Sequence, residues 1–389
     1  MAAFPETCCW RLRRSSRKSH PVFLRELLRS IARTFRRPDC LSVAPSRRFS
    51  VDFRRLKVSI LITTYNSAKF LKTCLESALQ QDKADREIII VDNASTDGTR
   101  AVLREFESHL RVIYNDTNRG FAGGQNQAIT QSRGEWLLSL NPDVILRPDF
   151  LSTSLVAAQG QERVGALCGK LLRWKPDADD ERSNVIDSTG IYFLRNLRHL
   201  DRGSDEIDDG QYERREFVFG ATGAAALYRR EMVEDISVGG EFFDEDFFAY
   251  REDADLAWRA QLMGWSCLYV PDAVAWHVRR VTPERFKQLP DEINRHSIKN
   301  RFLMRAKNIS PGLYLRLLIP ITARDLLIFG YCVMFNRRLL SGLNLFWSKR
   351  RSIREKRKWI QAHRRVSDRE LAPWFDNHPH TIPADSAGG

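Results

Sequence analysis

The chain has 389 residues, 43% of them hydrophobic and 29% charged, with a formal net charge of +13. That apolar content can build a sizeable core and excludes global disorder, and the length suits one large domain or two. Seven scattered cysteines, of which only Cys8 and Cys9 are close together, exclude a secreted disulfide framework and zinc-ligand spacing, and point to a reducing compartment.

The charge is unevenly placed. Residues 1–57 carry fifteen Lys/Arg against four Asp/Glu, residues 310–365 carry thirteen against two, and residues 58–309 carry 33 against 39. Basic ends suit an anionic membrane surface or nucleic acid. The mildly acidic middle argues against nucleic acid as a partner, because reading it puts positive charge on the folded domain. The Arg-rich N-terminus has no long apolar run and does not read as a secretory signal. Within it, Phe23 to Phe35 has apolar residues at helical spacing with Arg between them. That pattern fits an amphipathic surface helix or a disordered basic leader.

From residue 58 the chain alternates. Val58–Tyr65 (VSILITTY) is a continuous apolar strand, and Ser67–Gln81 follows at helical period with Ser67 as a plausible N-cap. Glu87–Ser95 (EIIIVDNAS) is a second buried strand, Asp97–Ser108 a helix, Leu110–Asp116 a third strand, Gly120–Ser132 a helix and Glu135–Asp143 (EWLLSLNPD) a fourth strand. This is the pattern of an α/β fold, doubly wound on a mostly parallel sheet. Polar residues gather at the strand ends: Thr63 to Asn66, Asp92-Asn93, Asn118 and Asp143. Open α/β sheets bind ligands at that edge. The acidic stretch Trp174–Gly190 predicts a long loop over the site. Ser266–Arg280 predicts a strand that ends at Trp276-His277. No internal repeat is present.

Five short motifs stand in order: TTYN, VDNASTDGT, NRGFAGGQN, NPD and FFAYREDADLAWR. Each is weak alone. Together, over about residues 57–305, they resemble the inverting nucleotide-sugar glycosyltransferases of family 2, with their GT-A fold, and the bacterial rhamnosyltransferase-like branch that builds surface polysaccharides. The resemblance implies that Asp143 binds Mg²⁺ or Mn²⁺ bridging a nucleoside diphosphate. Such hard cations prefer oxygen ligands and accept imidazole less often. Asn141 is neutral where many relatives carry Asp, and it is expected to face the ribose or donor sugar. Asp92 would accept the N3–H of uracil or thymine, with Thr63 and Tyr65 lining the same pocket and Asn93 beside it. Asn118, Gly120 and Asn126 would complete the nucleotide-sugar site, the glycines allowing close backbone approach at a helix start. Otherwise Asp92 is an ordinary helix-capping residue.

In YREDADLAWR the resemblance assigns the reaction to Glu252-Asp253, with Asp253 as the base that deprotonates an acceptor hydroxyl. The plainer reading is an acidic first helical turn, and the two are compatible. His277 in VAWHVRR matches a later histidine that ligates metal in some members. Otherwise it is a hydrogen-bonded residue after a strand. Gly220 to Ala224 are small and would leave room for sugar and acceptor, or serve packing alone.

Residues 313–346 are strongly apolar but broken by Arg316, Pro320, Arg324 and Asp325. The charge-free run Leu326 to Asn336 is shorter than the roughly 20 residues a spanning helix needs. With basic flanks it reads as interfacial helices lying on a bilayer, or as a helical hairpin packed on the body. The expected organisation is a basic extension (1–56), a glycosyltransferase domain (57–305) and a C-terminal helical, membrane-associated region and tail (306–389). The expected activity is transfer from a thymidine or uridine diphosphate sugar, rhamnose first, to a glycan or lipid-linked glycan acceptor. The expected place is the cytoplasmic face of the bacterial inner membrane. A non-catalytic nucleotide-sugar-binding or scaffold protein is the rival reading. A nucleotidyltransferase would need a Gly-rich basic first loop, which TTYNSAKF does not supply.

Overall fold

The computed structural model describes residues 57–82, 85–176, 181–279 and 291–384. The Phe23–Phe35 segment lies outside them. In chain order the first half runs β1 (Lys57–Thr64), α1 (Ala68–Leu79), β2 (Asp85–Asp92), α2 (Thr99–Glu105), β3 (Arg111–Tyr114), α3 (Gly120–Gln131), β4 (Trp136–Leu140), β5 (Val144–Leu146), α4 (Phe150–Ala157), β6 (Val164–Lys175) and β7 (Glu181–Ser188). Next come β8 (Ile191–Phe193), β9 (His199–Asp201), β10 (Glu216–Val218), β11 (Ala225–Arg229), α5 (Arg230–Ile236), α6 (Glu252–Leu262) and β12 (Ser266–His277). The chain ends with α7 (Asp291–Asn308), α8 (Pro311–Arg316), α9 (Leu318–Phe335), α10 (Ser341–Ser348), α11 (Arg350–His363), α12 (Asp368–Leu371) and β13 (Ile382–Pro383).

The main sheet has the order β13-β10-β12-β6-β11-β4-β1-β2-β3, with β5 on β12 and β7 on β6. Strands β3, β2, β1, β4, β6 and β12 run one way, and β11 is inserted against them between β4 and β6. The expected mostly parallel, doubly wound sheet is therefore present. The Ile- and Val-rich strands are buried on both faces, as crossover helices require. Because β11 is reversed, its start, just after Gly220 to Ala224, lies at the same edge as the ends of β1, β2 and β4.

Two local expectations change. Residues 174–190 are not a loop over the site: most of them build the β6–β7 hairpin and add a strand to the sheet. Ser67 does stand at the N-cap of α1, but its hydroxyl donates to the Tyr65 carbonyl at 3.2 Å and caps no helical N–H.

The C-terminal helices pack on the body. A buried ionic ladder joins them to the segment before α6. Lys307 reaches Asp244 and, at 3.1 Å, Asp255; Lys356 reaches Asp244 at 2.6 Å and Glu241 at 2.8 Å; Lys349 reaches Asp246 at 2.8 Å. Among the described residues α9 is the one helix long and apolar enough to cross a membrane. Its charges turn inward: Asp325 pairs with Arg301 at 2.7 Å and Arg305 at 2.6 Å, and Arg324 donates to Asn196 at 3.1 Å. Ile319, Leu326, Leu327, Met334 and Phe335 face outward and are exposed. The outward apolar face is thus longer than the charge-free run in the sequence.

Candidate active site

The register of the first three strands brings together residues expected to line a nucleotide pocket. Thr64, Asp92 and Tyr114 are adjacent across β1, β2 and β3. Thr63 is buried and Tyr65 half exposed beside them. Asp92 is fully buried: its carboxylate accepts from the Ser95 N–H at 3.3 Å and from Arg100 Nε at 2.7 Å. Arg100 is partly exposed and lies over the Tyr114 ring, 5.3 Å from its centroid. That guanidinium occupies Asp92 Oδ2 and covers the strand end.

Helix α3 opens at Gly120, whose φ of +72° is left-handed and whose missing Cβ leaves space for the Phe248 carbonyl. Asn118 Oδ1 accepts the Gly120 N–H at 2.8 Å and fixes that start. Asn93 and Asn126 do not present free amides to a ligand. Asn93 donates to the Gly120 carbonyl at 2.9 Å and accepts from Asn115 at 2.8 Å. Asn126 donates to the Phe243 carbonyl at 2.7 Å and accepts the Phe243 N–H at 3.0 Å. Both brace the walls, a role that spacing in a sequence cannot distinguish from lining.

Asp143 sits in the turn between β4 and β5 and is buried, where the sequence suggests an exposed strand end. The pairing of β12 with β5 sets His277 opposite Val144, and its Nε2 lies 3.6 Å from Asp143 Oδ1. The other ring nitrogen, Nδ1, is 2.8 Å from Asp187 Oδ2. Asp187 falls at a register irregularity of the β6–β7 hairpin, between the partners of Leu171 and Leu172. An extra residue of this kind re-aims a side chain. Burial disfavours a charged imidazole, but Asp187 and then Asp143 outweigh it and hold the His277 pKa up at about 10. Asp187 is itself buried, yet His277, Arg279 and Arg173 keep it below the usual carboxylate range.

Asp143 and His277 could serve a small divalent cation only once the imidazole loses its proton, and among the described residues no group of three or more His, Cys, Asp or Glu stands together to hold one. One carboxylate oxygen and one imidazole nitrogen at that separation can be neighbouring ligands, with diphosphate oxygens and water completing the shell. Asn141, on the same turn, is half-buried, and its backbone is tied to Ala224 at 2.9 Å.

The acidic pair opens α6. Glu252 is buried; burial, then the charge of Asp253, pushes its pKa up to about 8. Asp253 is less enclosed. Burial raises its pKa, while the Gly223 N–H, donating to Oδ2 at 3.1 Å, partly offsets this. At neutral pH this favours a neutral Glu252, while the Asp253 carboxylate keeps the Gly223 N–H. Gly223 passes close to Asp253, so the small stretch 220–224 does lie against the pair. Arg279 links the two halves of the site: it donates to Asp187 at 3.4 Å and Asp201 at 2.6 Å, and its charge also favours an ionised Asp253.

The turn before α6 is strained. Phe248 has φ +67° and ψ −62°, and the Ala249 N–H donates to the Phe247 carbonyl at 2.8 Å, which makes a γ-turn of the rare form. Tyr250 (φ +69°) and Arg251 (φ +74°) follow. Such conformations cost about 1–3 kcal/mol each and persist where the surroundings over-determine them.

Sequence reasoning missed Asp187, Arg279 and Arg100. Asp187 lies in a polar, acidic stretch with no periodicity, and the one signal is a carboxylate directly after Val185-Ile186.

Residues 59–237 match the family described as Glycosyl transferase family 2. The N-acetylglucosaminyl-diphospho-decaprenol L-rhamnosyltransferase of Mycobacterium tuberculosis (strain ATCC 25618 / H37Rv) is 28% identical over 239 residues, 56% of this chain and 75% of that protein. The poly-beta-1,6-N-acetyl-D-glucosamine synthase of Staphylococcus epidermidis is 23% identical over 222 residues, 56% of this chain and 49% of that one. The crystal structure of GalNAc-T7 with UDP, GalNAc and Mn²⁺ has a TM-score of 0.50 at 11% identity, covering 65% of this chain and 48% of that one, a likeness of fold.

Proposed function

We propose that residues 59–237, which match Glycosyl transferase family 2, are the core of an inverting enzyme that moves a sugar from a thymidine or uridine diphosphate donor, rhamnose first, to a hydroxyl of a glycan or lipid-linked glycan. The observation that carries the reading is the pairing of Asp143 with His277 at 3.6 Å, in one ionic network with the Glu252-Asp253 pair. The activity for which the mycobacterial relative is named supports rhamnose and a lipid-linked acceptor.

Donor entry displaces Arg100 from Asp92, which then accepts the N3–H of the base. Asp143 and His277 would hold a divalent cation, which would supply charge neutralisation to the diphosphate. Asp187 orients the imidazole from behind. Asp253 takes the proton of the acceptor hydroxyl as its oxygen attacks the anomeric carbon, while the bond from that carbon to the diphosphate oxygen breaks. Glu252, neutral beneath it, leaves the negative charge on Asp253.

The outward face of α9, with Arg337, Arg338, Lys349 and Arg350 nearby in the chain, fits a peripheral position on an anionic membrane, at the cytoplasmic face of a bacterial inner membrane. A thermal-shift panel of nucleotide-sugars with Mn²⁺ or Mg²⁺ tests the donor reading. Stabilisation by dTDP-rhamnose or a UDP-sugar, and release of the nucleotide on incubation, supports it. Binding without release favours a non-catalytic binding protein, and no binding of either class removes the proposal.

A further inference from the structure

The strained turn Phe247–Arg251 lies between the two working halves of the site. On one side the Phe248 carbonyl fills the space left by Gly120 and accepts the Ala122 N–H at 3.4 Å, at the start of the helix that opens the donor pocket. On the other side the turn runs directly into Glu252 and Asp253. Besides local bonds and the Ala122 N–H, its backbone is held by side chains of α7. The Asn300 amide donates to the carbonyls of Phe247 (3.1 Å), Ala249 (2.8 Å) and Tyr250 (2.8 Å). Lys299 donates to the carbonyls of Asp246 (2.5 Å) and Phe247 (3.3 Å). Arg251 reaches Ser297 at 3.2 Å, and the Phe248 ring stacks on His296 at 5.3 Å. Four of five consecutive positions on α7 thus hold one turn.

Asn300 is fully buried, and its Oδ1 has no hydrogen-bond partner among the described residues. A buried orphan acceptor is a cost that packing alone would remove by a smaller apolar residue. An ordinary turn would also connect the preceding segment to α6 without left-handed, non-glycine residues. Both costs lie at the entrance to the carboxylate pair, where a displacement of about 1 Å can lower a rate 10²-fold.

We propose that Asn300 is a positioning residue for Asp253: by holding the carbonyls of Phe247, Ala249 and Tyr250 in the strained turn, it fixes where the first turn of α6 places the base relative to the donor pocket. The proposal rests on the glycosyltransferase reading above. It acts through the backbone, and Asn300 itself touches no substrate.

The test compares the full chain with Asn300→Gln, which keeps the amide but moves it by one methylene, and Asn300→Asp, which sets carboxylate oxygens against the three carbonyls. Melting temperature, affinity for dTDP with Mn²⁺ by calorimetry, and kcat and KM for dTDP-rhamnose with a lipid-linked glycan acceptor are measured on each. The expected result is folded protein with dTDP affinity within about threefold of wild type and kcat lowered about 10–100-fold, less for Gln than for Asp. A wild type that neither binds dTDP nor turns over removes the functional reading instead. If wild type is active and both variants keep its kcat, Asn300 positions nothing. Parallel loss of dTDP affinity and kcat, or failure of both variants to fold, makes Asn300 a residue of the fold and overturns the proposal.

Discussion

Asp187 and His277 are 90 residues apart in the chain and share a 2.8 Å hydrogen bond. The carboxylate lies behind the imidazole, so the other ring nitrogen is turned toward Asp143. Removal of such a partner lowers metal affinity about 10–100-fold. Asp187→Asn, close in shape, is expected to weaken the Mn²⁺ affinity of the dTDP-bound protein by that factor while the melting temperature falls only slightly. Calorimetric titration of Mn²⁺ checks it, and unchanged affinity would take Asp187 out of the metal site.

Asp143→Ala is expected to abolish Mn²⁺-dependent binding of dTDP. Because Asp143 is buried against His277, the change also leaves a polar void, and a modest drop in melting temperature should accompany it. Wild-type dTDP affinity in the folded variant would show that the diphosphate is held elsewhere.

Asp253→Asn keeps the shape and removes the proton acceptor. Loss of a general base costs about 10²–10⁴-fold in rate, with dTDP affinity nearly unchanged. Glu252→Gln should be the milder change, since Glu252 is already neutral at pH 7. Turnover of both variants with one defined acceptor decides the assignment; a dead Glu252→Gln with an active Asp253→Asn reverses the roles.

The same burial has a stability signature. Glu252 moves from an ordinary 4.5 to about 8 in the fold, through burial and the neighbouring Asp253 and Asp255. Tyr228, on β11, also faces the pair. Between pH 4.5 and 8 the folded chain holds a proton that the unfolded chain has lost. Its contribution to stability therefore falls as pH rises through that window and levels off above it. Glu252→Gln should flatten this slope and raise stability at pH 8 by on the order of a few kcal/mol. Urea midpoints from pH 5 to 9, wild type against variant, measure it.

Leu326 and Leu327 are both exposed on the outer face of α9. Replacing them together with Glu should release the chain from vesicles containing phosphatidylglycerol in a flotation assay. Salt alone should release wild type only in part, because salt screens the basic residues but not the apolar face. Flotation of the double variant at the wild-type level would place the membrane contact elsewhere.

The α/β alternation from β1 to β4 was legible because each strand is a continuous apolar run closed by turn residues. Asp92 and Asp143 were legible as strand-end carboxylates. Their surroundings were not. The Arg100 cover on Asp92, the amides of Asn93 and Asn126 turned into the walls, and the burial of Asp143 all depend on how distant segments close over the edge. The β6–β7 hairpin was misread because its strand is polar and acidic, and its pairing is recognised only from its partner. The inward turn of Arg324 and Asp325 was likewise invisible: charge in a sequence has a position but no direction.

The ionic ladder has a practical meaning for anyone handling this protein. Asp244 is buried and Asp246 half-buried in the body; Lys307 on α7 pairs with Asp244, while Lys349 and Lys356, the lysines on Asp246, lie at the start of α11 and within it. Cutting the chain ahead of Lys349 would take both lysines from Asp246 and one of two from Asp244, and losing a buried partner costs about 3–5 kcal/mol. The body and the C-terminal helices must therefore be inherited as one piece. Solubility is better sought by repainting the outer side of α9, one residue at a time, than with scissors.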